Sequence, residues 1–98
     1  RLIRRVLKQM NLNEDQWKPK ELQWYINAKK DEGLRPHQVS HFHDFHSEML
    51  TKIYKEYDKA CQMSGLIDFA ELLLRSYELW LQHPQLVQHY QNRFRAIL

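Results

Sequence analysis

Residues 42–82 read FHDFHSEMLTKIYKEYDKACQMSGLIDFAELLLRSYELWLQ. Phe42, Phe45, Met49, Ile53, Tyr57 and Ala60 recur at steps of three and four, which lines them up on one face of a helix. The spacing predicts a helix from about His43 to Met63. Ser64-Gly65 ends it, because glycine enters the left-handed conformation that follows a last helical turn at little cost. Asp68 then opens another helix, and Glu71 three residues on completes a capping box in its Asp form, with Ile67 and Leu72 at the two staple positions. From Phe69 to Gln82 the apolar residues surround much more than one stripe, so most sides of this helix should be buried. Its neighbours are too few to cover Phe69, Leu73, Leu74, Trp80 and Leu81 together. Some of these are expected to face another body, and in isolation to promote self-association.

Upstream the helical period continues. Leu2, Ile3, Val6, Leu7 and Met10 share a face, with Arg1, Arg4, Arg5 and Lys8 on much of the other. Asn11 and Asn13 break the run, and Glu14 to Trp17 form a short turn. Pro19 suits a first helical position. Leu22, Tyr25, Ile26 and Lys29 follow, with Trp24 and Tyr25 expected in the core. Gly33 is the stop, and Leu34-Arg35-Pro36 the connector, since Pro36 disfavours helix before it. Downstream, His83-Pro84 separates a last helix carrying Leu86, Val87, Tyr90 and Phe94. The closing Ala96-Ile97-Leu98 reads as the beginning of a buried strand. The fold expected is all-α, an irregular bundle of about five helices. The opening RLIRRVL lies inside a helix pattern, as in a piece of a longer protein.

The 98 residues allow one small domain, and 43% apolar composition allows a core. Two glycines, three prolines and one cysteine exclude collagen and disulfide scaffolds. No apolar run approaches the ~20 residues of a membrane span. Net charge is +3, and its excess lies in residues 1–36, where nine basic groups stand against five acidic ones. Such a face suits a polyanion.

Motifs for catalysis are missing. Two isolated glycines cannot build a phosphate-binding loop, and no nucleophile elbow is present. Cys61, beside Ala60 in mid-helix, reads as a small core or boundary residue. His37, His41, His43 and His46 cluster without a partner motif, so no metal is expected, although His37 and His41 stand four apart. Asp31-Glu32 reads as a solvated helix end, Asp68-Glu71 as a cap, and Asp58 as a carboxylate on a helix face. Lys18, Lys20, Lys29, Lys30 and Arg35 accompany Trp24 and Tyr25, a mixture of phosphate-neutralising and stacking groups.

The stretches RLIRRVLKQMNLNEDQWKPKELQWYINAKKDEGLRP (1–36) and YKEYDKACQMSGLIDFAELLLRSYELWLQHPQLVQHYQNRFRAIL (54–98) resemble the UvrD/Rep/PcrA superfamily-1 DNA helicases. The most specific parts are WYINAKKDEGLRP and GLIDFAELLL, and residues 37–47 match least. The resemblance implies that residues 1–83 form most of the helical subdomain called 1B. Residues 84–98 would be the first helix and the start of a strand of the returning RecA-like motor domain.

It also implies a parent enzyme that uses ATP and magnesium to move 3′→5′ on single-stranded DNA and to open duplexes during DNA repair, in the bacterial cytoplasm. This stretch would have no catalytic residue and no cofactor of its own. It would help position DNA at a duplex junction, with Lys30 first among the phosphate contacts and Lys29, Lys20 and Arg35 beside it. The Phe69–Gln82 helix would face the motor domains. Two other readings of the same residues are a stand-alone helical protein-interaction module and a small non-specific DNA-binding domain.

Overall fold

The computed structural model describes residues 2–39 and 44–85. Among them are four α-helices and one short 3-10 turn: α1 (Leu2–Gln9), α2 (Pro19–Asp31), the turn Pro36–Gln38, α3 (Phe45–Ser64) and α4 (Phe69–Gln82). The fold is all-α. The expected helix after Pro84 and the apolar run 96–98 lie outside the described residues, as do Phe42, His41 and His43.

Three helices end in the same way. After α1 the Leu12 N–H donates to Leu7 O and the Asn11 N–H to Lys8 O, with Asn11 at φ +58°. After α2 Leu34 bonds back to Lys29 and Gly33 to Lys30, and after α3 Leu66 bonds to Cys61 and Gly65 to Gln62. This paired closure satisfies carbonyls that a helix end leaves free. Asparagine takes the left-handed place at the first end because its short polar side chain tolerates that region. At the other two the place falls to glycine, as the sequence indicated.

The core is a three-helix affair. Ile3, Val6 and Leu7 of α1, Leu22 and Ile26 of α2, and Ile53, Tyr54, Tyr57 and Cys61 of α3 close on one another, with Trp17 from the turn between α1 and α2. Trp17 also stacks on His46, ring centres 5.0 Å apart, so that histidine is held by an aromatic neighbour. The Tyr54 hydroxyl donates to Leu34 O at 2.7 Å, tying α3 to the connector after α2. Burial pushes the Tyr57 hydroxyl up to about 12.

Two expectations need correction. Trp24 is 74% exposed. The buried stripe of α2 is Leu22, Ile26 and Lys30, at steps of four, and a residue two away from Leu22 and Ile26 points to the opposite side. Phe45 is likewise exposed, at the first turn of α3. α4 packs on α2 and buries only Glu71 and Leu74, so most of its apolar residues stay uncovered, as the small number of its neighbours led one to expect. Phe69, Leu72, Leu73, Tyr77, Leu79, Trp80 and Leu81 all retain large exposure.

Candidate nucleic-acid interface

The four basic residues singled out in the sequence separate into two pairs. Lys30 is buried and Arg35 is only partly exposed. The Lys30 side chain is 1% exposed and lies 3.1 Å from Glu71 and 3.7 Å from Asp68. Its ammonium also stands 5.9 Å from the centre of the Tyr57 ring. Arg35 forks onto Glu78, with Nε donating to Oε2 at 2.8 Å and Nη2 to Oε1 at 2.7 Å. Its Nη1 donates to Glu71 Oε1 at 2.9 Å and lies 3.7 Å from Asp58. Both cations are therefore engaged by carboxylates, Lys30 by Glu71 and Asp68 and Arg35 by Glu71, Glu78 and Asp58. A buried cation without such partners would be costly. The sequence held the signal: Lys30 continues the Leu22–Ile26 stripe by one more step of four.

Glu71 is the hub of this set. Asp68 is the N-cap of α4, its Oδ1 accepting the Glu71 N–H at 2.8 Å. The reciprocal half of a capping box would send the Glu71 side chain back to Asp68. Instead it accepts from Arg35, from Lys30 and from Arg75 Nε at 2.7 Å. Burial alone would raise its pKa, but the hydrogen bonds from Arg35, Arg75 and Lys30 outweigh that and bring it down to about 2. The Arg35 hydrogen bonds similarly hold Glu78 below the usual carboxylate range. Asp58, by contrast, is raised by burial, with Arg35 only partly opposing; it is no free surface carboxylate. Among the described residues no buried side-chain nitrogen or oxygen lacks a partner.

Lys20 and Lys29 do reach the surface. Lys29 is half engaged, 3.4 Å from Glu32 and 5.5 Å from the centre of the Tyr25 ring. Lys20 is exposed and lines a shallow groove with Ile3, Arg4, Pro19 and Gln23. Arg4 also lines the next groove, with Arg5, Lys8, Leu12, Asn13, Glu14 and Asp15. Arg4 lies 3.4 Å from Glu14, both well exposed, while Arg5 and Lys8 are exposed on the same α1 face. Lys20, Arg4, Arg5 and Lys8 thus form one basic edge across α1 and the start of α2. The α1 part was visible as the polar face opposite Leu2–Met10. Its meeting with Lys20 depends on how α1 and α2 pack, which no local pattern states.

Among the described residues no three His, Cys, Asp or Glu side chains could together hold a metal ion. His37 is exposed in the 3-10 turn, and its expected companions His41 and His43 are outside the described residues. No described helix is long and apolar enough to cross a membrane.

The described residues thus place a basic edge across α1 and the start of α2 and leave an apolar flank open on α4. The whole chain, residues 1–98, matches the model of the UvrD/REP helicase N-terminal domain, and the chain belongs to that family. It is 51% identical over 98 residues to DNA helicase II of Escherichia coli strain K12, covering all of this chain and 14% of that protein. Against DNA helicase II of Haemophilus influenzae identity is 50% over the same length. An ATP-dependent DNA helicase PcrA of Staphylococcus epidermidis is 29% identical over 97 residues. The chain thus spans about 14% of the length of these two DNA helicase II proteins.

Proposed function

We propose that this chain works as a non-catalytic part of a UvrD-type, ATP-dependent DNA helicase, one that moves 3′→5′ and acts in DNA repair in the bacterial cytoplasm. The observation that carries the reading is a family match that spans residues 1–98. In this reading residues 1–83 are the 1B-like subdomain, residues 84–98 lead back into the motor domain, and the apolar flank of α4 faces that domain.

The chain's own part is to hold DNA where single strand meets duplex. Lys20, Arg5 and Lys8 would neutralise phosphates, with Arg4 and Lys29 beside them. Such contacts orient DNA without reading sequence and weaken steeply with salt. In this reading ATP and magnesium would be held by other parts of the helicase, since this sequence carries no phosphate-binding loop of the G-x-x-x-x-G-K-S/T kind.

The test is a charge reversal, Arg5→Glu with Lys20→Glu, in the full-length helicase. Junction affinity at low salt should fall on the order of tenfold or more, and the slope of affinity against salt should flatten by about two phosphate contacts. ATP hydrolysis driven by single strands should change little. Lys55→Glu with Lys59→Glu, the same charge change in the separate groove beside Pro36 and Val39, is the control. Wild-type junction affinity in the Arg5/Lys20 variant would overturn the assignment of this edge.

A further inference from the structure

The core that unites α1, α2 and α3 contains no residue of α4. α4 touches the body through α2 and contributes one buried apolar side chain, Leu74. One leucine fixes a distance well and an angle poorly, because apolar burial has no direction. Besides the Tyr77 ring that lies close over Gly33, the directional contacts of α4 are ionic: Lys30 meets Asp68 and Glu71, and Arg35 joins Glu71 to Glu78.

Arg35 is anchored at its backbone. Its N–H donates to the Gln38 side chain at 2.7 Å, the carbonyl before it accepts the Tyr54 hydroxyl, and the next residue, Pro36, is buried. From that fixed point one guanidinium reaches Glu71 and Glu78 of α4 and approaches Asp58 of α3. Glu71 and Glu78 are seven residues apart, so they share a helix face at a separation of about 10 Å along the axis. Two points on one helix define its direction. A planar fork holds that geometry, whereas an ammonium, which is a point charge, does not.

We propose that Arg35 is a positioning residue that sets the angle of α4 against the α1–α3 body, so that motion of whatever α4 docks on is passed to the DNA-holding edge. The second half rests on the function proposed above; the angular role does not. Arg35→Lys keeps the charge and removes the fork, and Glu78→Gln removes the far anchor while leaving the Glu71 hub.

The first measurement is the distance distribution between spin labels at Lys52 on α3 and Ser76 on α4 in the intact protein. The second is base pairs opened per ATP hydrolysed on a junction. Arg35→Lys and Glu78→Gln should each broaden the distribution about twofold and lower the ratio roughly threefold, with single-strand-driven ATP hydrolysis held within about twofold. The double variant should do no more than either alone, since both cut one connection. A merely stabilising ion pair would lower the melting temperature and leave both readouts unmoved, and that result overturns the proposal. A lowered ratio with an unchanged distance distribution overturns it as well. Wild-type protein without DNA-stimulated ATP hydrolysis would refute the helicase reading and leave the distance measurement to judge Arg35.

Discussion

A Cβ placed on Gly33 would stand 2.6 Å from Cε2 of Tyr77. The turn that ends α2 and the middle of α4 therefore meet with no room for a methyl group. Gly33 also sits at φ +78°, where an L side chain is strained. Gly65, at φ +69°, has the same backbone requirement but nothing within 4 Å of its added Cβ.

The two glycines give a controlled comparison. Gly65→Ala should cost about 1 kcal/mol, from the left-handed backbone alone. Gly33→Ala should cost about 2–3 kcal/mol, since the Tyr77 ring must also move aside. Replacing Tyr77 by Ala in the Gly33→Ala background should recover the difference in a urea titration. Equal losses for the two glycines would remove Tyr77 from the account.

The cap of α4 is testable in the same titration. Asp68→Ala should cost about 1 kcal/mol, and Asp68→Asn, which keeps an acceptor for the Glu71 N–H, clearly less. Asp31, exposed at the C-terminal end of α2, is the suitable control, and its change to Ala should stay within about 0.5 kcal/mol. Asp58 cannot serve as that control, because it lies against Arg35. Losses that rank Asn level with Ala would show that the hydrogen bond is not what stabilises the helix start.

Helix positions, their left-handed ends and the Asp68 cap were legible because they follow from local rules: a period, a glycine, an aspartate before an apolar run. What was not legible was which charges would be internal. Lys30 and Arg35 look like Lys20 and Arg5 in composition and differ only in what α4 brings to them across 36 to 43 residues of chain. The Leu22–Ile26–Lys30 stripe was the available hint, outweighed by the habit of reading lysine as surface. Trp24 erred the other way, its size suggesting the core while its register placed it outside. The open flank of α4 was anticipated from the excess of apolar residues, though not that Leu74 alone would be covered.

Lys30 separates folding from binding. Lys30→Glu would set a third carboxylate beside Glu71 and Asp68 in a buried place, and should cost about 3–5 kcal/mol. Lys30→Met, similar in volume, should cost less than Lys30→Glu, because it removes the cation without adding an anion. Loss of DNA binding in Lys30→Glu should therefore track loss of helical circular dichroism. A folded Lys30→Glu protein with weakened junction binding would return this residue to the DNA interface.

Acid should loosen the α4 contact. Against the upward push of burial, the guanidinium and ammonium partners bring the Glu71 carboxyl down to about 2 from its ordinary 4.5, and Glu78 is lowered in the same sense by Arg35. A lowered carboxylate contributes stability that is present above its unfolded pKa and is lost as pH falls through the folded value. For Glu71 the contribution is on the order of 3 kcal/mol, lost between about pH 5 and pH 2. Asp58, shifted upward, works in the opposite direction and softens the curve. The melting temperature should fall over that window, and Glu71→Gln should start lower and fall less. A wild-type curve that is flat from pH 5 to pH 2.5 would contradict the charge network as drawn.

The last expectation concerns the open flank of α4. Phe69, Leu73 and Leu81 are each about half exposed or more, and contiguous apolar surface of this kind favours association. Leu74, 1% exposed, belongs to the fold instead. Phe69→Ser, Leu73→Ser and Leu81→Ser together should therefore leave the melting temperature of the 98-residue chain within a few degrees of wild type. The same changes should abolish any concentration-dependent rise in sedimentation coefficient. Leu74→Ala should do the reverse, costing about 2–4 kcal/mol without reducing association of whatever remains folded. The contrast matters because both kinds of leucine sit on one helix and differ only in direction. If the triple serine variant unfolds while Leu74→Ala is tolerated, the α2–α4 packing described above is assigned to the wrong face.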